Sequence, residues 1–192
     1  MSDAGIRIVV LNGGSSAGKS SIARCLQSML PEPWLTFGVD NLMDAMPPRL
    51  WGSSSGITVD PDGRITVGAA IRVLQEAWFQ GVAAMAHAGV GIILDEVFLE
   101  GAAAQERWRI ALEGRRVFWV GVRCDPRVAA EREAVRGDRD RGMAASQACL
   151  VHRGVVYDME VDTTDTTPTD CARLIAQRLM PERSKSRQLR DV

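Results

Sequence analysis

Lysine is almost missing from this 192-residue chain: of 23 basic residues only Lys19 and Lys185 are lysine, and the others are arginine. Histidine is as scarce, with His87 and His152 alone, and the four cysteines form no Cys-x-x-Cys pair, so a zinc cage is excluded. Cys25, Cys124, Cys149 and Cys171 are expected as reduced, buried thiols, three of them on apolar faces of helices or strands. An excess of one charge is lacking too. The 23 basic residues meet 24 acidic ones, and a formal net charge of −1 gives no field that favours nucleic acid or an anionic membrane. No apolar run approaches the roughly 18 residues of a membrane span. The start, Met-Ser-Asp-Ala-Gly, is not basic and leads into no signal-like stretch. These absences point to a cytoplasmic globule with neither nucleic-acid nor membrane partners.

What is present is an alternation of strand and helix. Ile6 to Leu11 is a short, β-branched apolar run ended by Asn-Gly-Gly, hence a buried strand. Ile22, Cys25, Leu26, Met29 and Leu30 then recur at helical spacing until Pro31. Leu35 to Val39 reads as a strand, with a short helix from about Asp40. Two alternating runs around Asp60-Pro61-Asp62-Gly63 read as a hairpin. Further on, Ile71, Leu74, Trp78 and Met85 mark a helix, and Val90 to Leu99 contains the most buried-looking strand. A helix over Ala102 to Leu112, a strand over Val117 to Cys124, an Arg-rich helical segment after Pro126, a strand over Met159 to Thr163 and a last helix through Leu179 complete the series. The expected fold is α/β: a five-stranded parallel sheet with helices on both faces, a three-layer sandwich like that of the P-loop nucleoside kinases. Residues 1–180 read as one domain, with a hairpin insertion near 53–68 and an Arg-rich lid near 132–142. Residues 181–192 read as a flexible basic tail.

The chemistry begins between the first strand and the first helix. Gly13, Gly14, Ser15, Ser16, Ala17, Gly18, Lys19 and Ser20 fit G-x-x-x-x-G-K-[ST] in the strand-then-helix context that a P-loop requires. Gly13 and Gly18 let the backbone turn so that successive N–H groups face inward, and the helix N-terminus, through Ser21, adds partial positive charge. Lys19 can reach the β- and γ-phosphates of ATP, while the hydroxyl of Ser20 is a hard oxygen suited to Mg²⁺. Asp95 ends a buried strand, as a second metal anchor should, or else it caps the next segment. Its neighbour Glu96 points to the opposite side.

Nothing resembles the Asn-Lys-x-Asp signature of guanine recognition, and the length suits a small-metabolite kinase. Asp40 stands where an acceptor would lie, over the C-terminal edge of the strands. It is a candidate general base for an attacking alcohol, the other reading being a helix N-cap. Leu42, Met43, Met46 and Trp51 surround it with only Arg49 as a cation, which points to an uncharged, partly aromatic alcohol. Arg136 and Arg139, between hinges at Gly137 and Gly142, could swing onto the phosphates. Five arginines matched by five acidic residues from Asp125 to Arg141 could equally form a solvated, ion-paired helix.

With these residues in view the chain resembles the chloramphenicol phosphotransferase family. The segments that carry the likeness are VLNGGSSAGKS (Val10 to Ser20), CLQSMLPEPWLTFGVD (Cys25 to Asp40), GAAAQERWR (Gly101 to Arg109), WVGVRCD (Trp119 to Asp125), RGDR (Arg136 to Arg139) and EVDTT (Glu160 to Thr164). The resemblance implies transfer of the ATP γ-phosphate to the primary hydroxyl of chloramphenicol, with Asp40 as general base and Arg136 and Arg139 in the lid. Glu96, Glu100 and the tail after Pro181 depart from the family pattern, and Leu50 to Gly68 is its least matched region. Two other readings stay open: a kinase of another apolar alcohol, and a nucleotide-gated regulatory protein. Lys19→Arg puts a planar fork where a compact ammonium belongs, so phosphotransfer in a coupled ADP-release assay is expected to be nearly abolished.

Overall fold

Within the first strand, alternate side chains enter two different cores. In the computed structural model, which describes residues 6–60, 65–136 and 142–180, strand β1 (Ile8–Asn12) is wholly buried. Ile8 and Val10 face Val82, Ala83 and Ala86 of helix α3 (Ala69–His87) and Ala104 and Trp108 of helix α4 (Ala102–Ala111). Val9 and Leu11 face Ile22 and Leu26 of helix α1 (Lys19–Met29), and Cys171 and Ile175 of helix α7 (Pro168–Leu179). Only a period-two strand covered on both faces divides its residues in this way.

Strand β1 is central in the parallel sheet, between β5 (Gly91–Glu96) and β6 (Val117–Arg123). Strand β2 (Trp34–Gly38) lies outside β5, and β7 (Met159–Asp162) lies outside β6. The sheet thus has the expected five parallel strands with helices on both faces. The chain leaves β1 in one direction, toward β2, and leaves β5 in the other, toward β6. That reversal opens a crevice at the C-terminal edge of β1 and β5, the usual place for a ligand in such sheets.

The hairpin forms as well, from β3 (Ile57–Val59) and β4 (Ile65–Val67). It is tied to the start of α3 by Gly68 N–H donating to the carbonyl of Gly56 and Ala70 N–H to that of Ser55, at 2.6 and 2.9 Å. Met46, Ile57 and Ile71 make a small third core beneath it, so Met46 serves packing here. Helix α2 (Val39–Ala45) follows β2 directly.

Strand β5 lies within the expected run and ends at Glu96; just beyond it the N–H of Phe98 donates at 2.9 Å to the side-chain oxygen of Asn12. The Arg-rich segment is a helix, α5 (Pro126–Arg136), but a further helix, α6 (Met143–Leu150), was not expected. Its sequence, MAASQACL, has no clear apolar stripe. Glu133 of α5 anchors it, with its carboxylate accepting from the N–H groups of Gly142 and Ala144, both at 2.8 Å. Arg139, Gly137 and the tail 181–192 lie outside the described residues. All four cysteines are free as expected, but only Cys171 is buried; Cys25 and Cys124 are half-buried, and Cys149, on the stripeless α6, is exposed. Among the described residues no helix is long and apolar enough to cross a membrane.

The segment between α6 and β7 contains a titratable link. The hydroxyl of Tyr157 receives a hydrogen bond from the amide of Asn12 and lies 2.6 Å from Nδ1 of His152. The hydroxyl proton then goes to the imidazole, which must be neutral there. Burial, helped by nearby Arg123, pushes the His152 pKa from 6.5 down to about 4. The unfolded chain therefore binds the extra proton first, and stability present above about 6.5 is lost as pH falls toward about 4. Urea midpoints at about pH 7.5 and about pH 5 are expected to differ for the natural chain, and to differ less for His152→Gln.

Candidate active site

The loop after β1 has the form its glycines require. A Cβ on Gly13 would lie 2.5 Å from the carbonyl oxygen of Val122, so only glycine lets the loop pack this closely on β6. Gly18 adopts φ +87° as the N-cap of α1, in the left-handed region that favours glycine. Ser15, Ser16, Gly18, Lys19, Ser20 and Ser21 border one cleft of about 940 Å³, near the upper end of the range for small-molecule sites. Gly13, Gly14 and Ala17 are buried behind them. Ser16 has a positive φ, and its hydroxyl is buried without a hydrogen-bond partner among the described residues. An unmatched donor beside a helix N-terminus and a lysine fits the acceptor oxygens of a phosphate chain.

Lys19 is only 7% exposed. Its ammonium donates to the carbonyl of Gly14 at 2.9 Å and stands 3.6 Å from Asp95. Burial pushes its pKa down, while Asp95, Asp40 and Glu96 oppose that shift. Asp95 also accepts a 2.5 Å hydrogen bond from the Ser20 hydroxyl. Its carboxylate therefore faces the phosphate loop and not the next helix, which answers the capping alternative. A hydroxyl and a carboxylate in contact are the hard oxygen donors that Mg²⁺ prefers, so Ser20 and Asp95 fit that ion.

The other half of the cleft is apolar. Phe37, Trp78, Phe79 and Trp108 wall it, with Phe37 edge-on to Trp78 at 5.8 Å and Phe79 against Trp108 at 4.5 Å. Asp40 borders it from the first turn of α2. The cap of that helix is Gly38, whose N–H donates to the Asn41 side chain at 2.9 Å, so Asp40 is not the N-cap. Leu42, Met43 and Trp51 border the cleft as well, whereas Arg49 does not. Two arginines not expected there, Arg24 and Arg107, reach it instead; the charge of Arg107 is matched by Glu100 at 2.5 Å. Glu96 points away from Asp95, as expected, and enters this aromatic half. Burial, and then the charge of Asp95, pushes its pKa up to about 8, against a hydrogen bond from Trp108. A more open depression of about 660 Å³ at the opposite end of the sheet, near Arg115, Arg116 and Val117, touches none of these groups.

Three further residues hold the site, and sequence reasoning missed them. Asn12, fully buried, donates to Tyr157 and to the carbonyl of Val151 while accepting from Phe98. Gln147, on α6 and 6% exposed, accepts from the N–H of Ser15 at 2.9 Å. Thr163 bonds the carbonyl of Ala17 at 2.9 Å, and Arg132 in turn holds Thr163. Only the Asn-Gly-Gly turn hinted at the first; an isolated Gln or Thr far along the chain carries no spacing signal. Arg136 ends α5, and Arg139 is outside the described residues, so their placement over the phosphates stays an expectation.

Solved structures of the same architecture include the Mycobacterium tuberculosis APS kinase in complex with AMPPNP and APS, with a TM-score of 0.60 at 16% identity over 93% of this chain and 99% of that one. The shikimate kinase of Acinetobacter baumannii in complex with shikimate gives 0.59 at 15% identity, over 94% and 96%. The fold is that of the P-loop kinases. A Mycobacterium tuberculosis protein named as a candidate O-phosphotransferase is 31% identical over 183 residues, covering 87% of this chain and 79% of the relative. The model of the chloramphenicol phosphotransferase-like proteins matches residues 6–180, and this chain belongs to that family. It is a P-loop phosphotransferase. Gln147→Leu frees the Ser15 N–H from its partner, and nucleotide affinity measured by calorimetry is expected to fall about five- to tenfold, the worth of one hydrogen bond near 1 kcal/mol.

Proposed function

We propose that this chain transfers the γ-phosphate of ATP to the primary hydroxyl of chloramphenicol and so inactivates the antibiotic, in the cytoplasm. One observation carries the reading: a single cleft unites Lys19, Ser20 and Asp95 with the carboxylate of Asp40 and an aromatic floor. Both reactants then fit side by side, phosphates against the loop and a largely uncharged aromatic alcohol against Phe37, Trp78 and Trp108.

In this reading the carboxylate of Asp40 takes the proton of the hydroxyl as its oxygen forms a bond to the γ-phosphorus. The bond from that phosphorus to the β–γ bridging oxygen breaks, and ADP leaves with the electron pair. Lys19 and the open N–H groups of the loop and of the first turn of α1 bind the phosphates, and the ammonium offsets charge on the oxygens. Mg²⁺ held by Ser20 and Asp95 would supply further neutralisation of the β- and γ-phosphates. Arg136 and Arg139 are the proposed source of additional positive charge.

Mass spectrometry of chloramphenicol after incubation with the protein, ATP and magnesium is expected to show one added phosphate, and none on the 3-O-acetyl derivative. Phosphorylation of the blocked compound, or unchanged chloramphenicol, would overturn the reading. Asp40→Asn is expected to bind ATP as the natural chain does while turnover falls about 10²- to 10⁴-fold. A natural rate from that variant would leave Asp40 without a part in the chemistry.

A further inference from the structure

Glu96 is out of keeping with its surroundings. It follows Leu94 on the face of β5 that packs against α3 and α4. Leu94, Phe98 and Trp108 beside it are apolar and fully buried. The residue is 8% exposed and borders the cleft that Phe37, Trp78, Phe79 and Trp108 also line. The indole of Trp108 is near enough to donate to its carboxyl. A carboxyl offers about four acceptor positions, and one indole uses one of them. A carboxyl set among aromatic rings is costly unless its acceptor positions are met, so a residue needed only for packing would be better served by leucine or methionine.

We propose that Glu96 determines acceptor specificity by accepting a hydrogen bond from a second donor, a hydroxyl or an amide N–H, on the alcohol whose other hydroxyl faces Asp40. The substrate class is then an apolar or aromatic alcohol that carries a second hydrogen-bond donor close to the phosphorylated oxygen. Simple monoalcohols of similar shape would be discriminated against. This rests on the phosphotransferase reading above, and it adds a group that the reading does not use. Two carboxyls divide the work: Asp40 meets the reacting hydroxyl, and Glu96 sets the angle of the molecule that bears it. The carbonyl oxygen of a carboxyl accepts in either protonation state, so the contact needs no particular charge on Glu96.

The test compares chloramphenicol with its derivative lacking the secondary hydroxyl and its derivative methylated at the amide nitrogen. Acceptor affinity by calorimetry and kcat/KM are read for the natural chain, Glu96→Gln and Glu96→Leu, with affinity for an unreactive ATP analogue as the check on folding. For chloramphenicol, Glu96→Leu is expected to weaken acceptor affinity about 5- to 150-fold, whereas Glu96→Gln, which keeps a carbonyl acceptor, loses less than about fivefold. With one of the two derivatives the natural chain should already be weakened, and Glu96→Leu should add nothing further. Equal losses of Glu96→Leu with all three compounds, or none with any, would overturn the proposal, as would failure of the natural chain to bind any of them. A natural chain that binds chloramphenicol with this pattern but transfers no phosphate would support the Glu96 contact and overturn the phosphotransfer reading alone.

Discussion

One fully buried amide holds the functional edge of this protein together. Asn12 ends β1, and through Val151, Tyr157 and Phe98 it fastens two other chain connections to the point where the phosphate loop begins. Each of those groups would otherwise be a polar atom in an apolar interior, where an unmet partner costs about 1–3 kcal/mol. The exchange is mutual. The loop at Gly13 is located by the strands beside it, and the strand ends are located by the residue before the loop. Further bonds, from Ser15 to Gln147 and from Thr163 to Ala17, extend the same arrangement around the loop.

The cleft above that edge is divided by charge. On one side Lys19, Ser20 and Asp95 form a polar cluster around the N-terminus of α1, suited to a polyanion and a hard cation. On the other, four aromatic rings and the third core beneath the hairpin present an apolar surface. Asp40 stands at the boundary, close enough to act electrostatically on both Lys19 and Glu96. A reaction between a phosphate chain and an uncharged alcohol needs such a boundary, because each reactant is solvated poorly by the other's half.

Most of the fold could be read from the sequence because its signals are local. Apolar runs such as Ile6 to Leu11 and Gly-Gly-Ser-Ser-Ala-Gly-Lys-Ser act over a few residues, and the strands, the main helices and the phosphate loop emerged near their expected places. The failures came where structure depends on distant partners. Helix α6 has no periodic apolar stripe, and its first turn rests on Glu133 of another helix. The cations of the cleft were misplaced for the same reason: Arg49 is near Asp40 in sequence, but Arg24 and Arg107 reach the cleft from two other helices, α1 and α4. Glu96 was placed on the correct side of its strand, but the aromatic rings that surround it come from α3 and α4, which strand alternation does not reveal.

The pairing of Gly38 with Asp95 separates what is fixed in this protein from what can vary. A Cβ on Gly38 would lie 2.4 Å from the carbonyl oxygen of Asp95, so β2 and β5 meet there at closest approach, and α2 with Asp40 starts from that junction. The start of the helix that carries Asp40 is therefore held against the strand that carries Asp95 at the interstrand spacing of about 4.8 Å. The surfaces that would recognise the body of an acceptor belong to other elements: the hairpin, α3 and α4. Such a division lets lineages exchange one substrate for another by altering those walls while the reacting geometry is inherited unchanged.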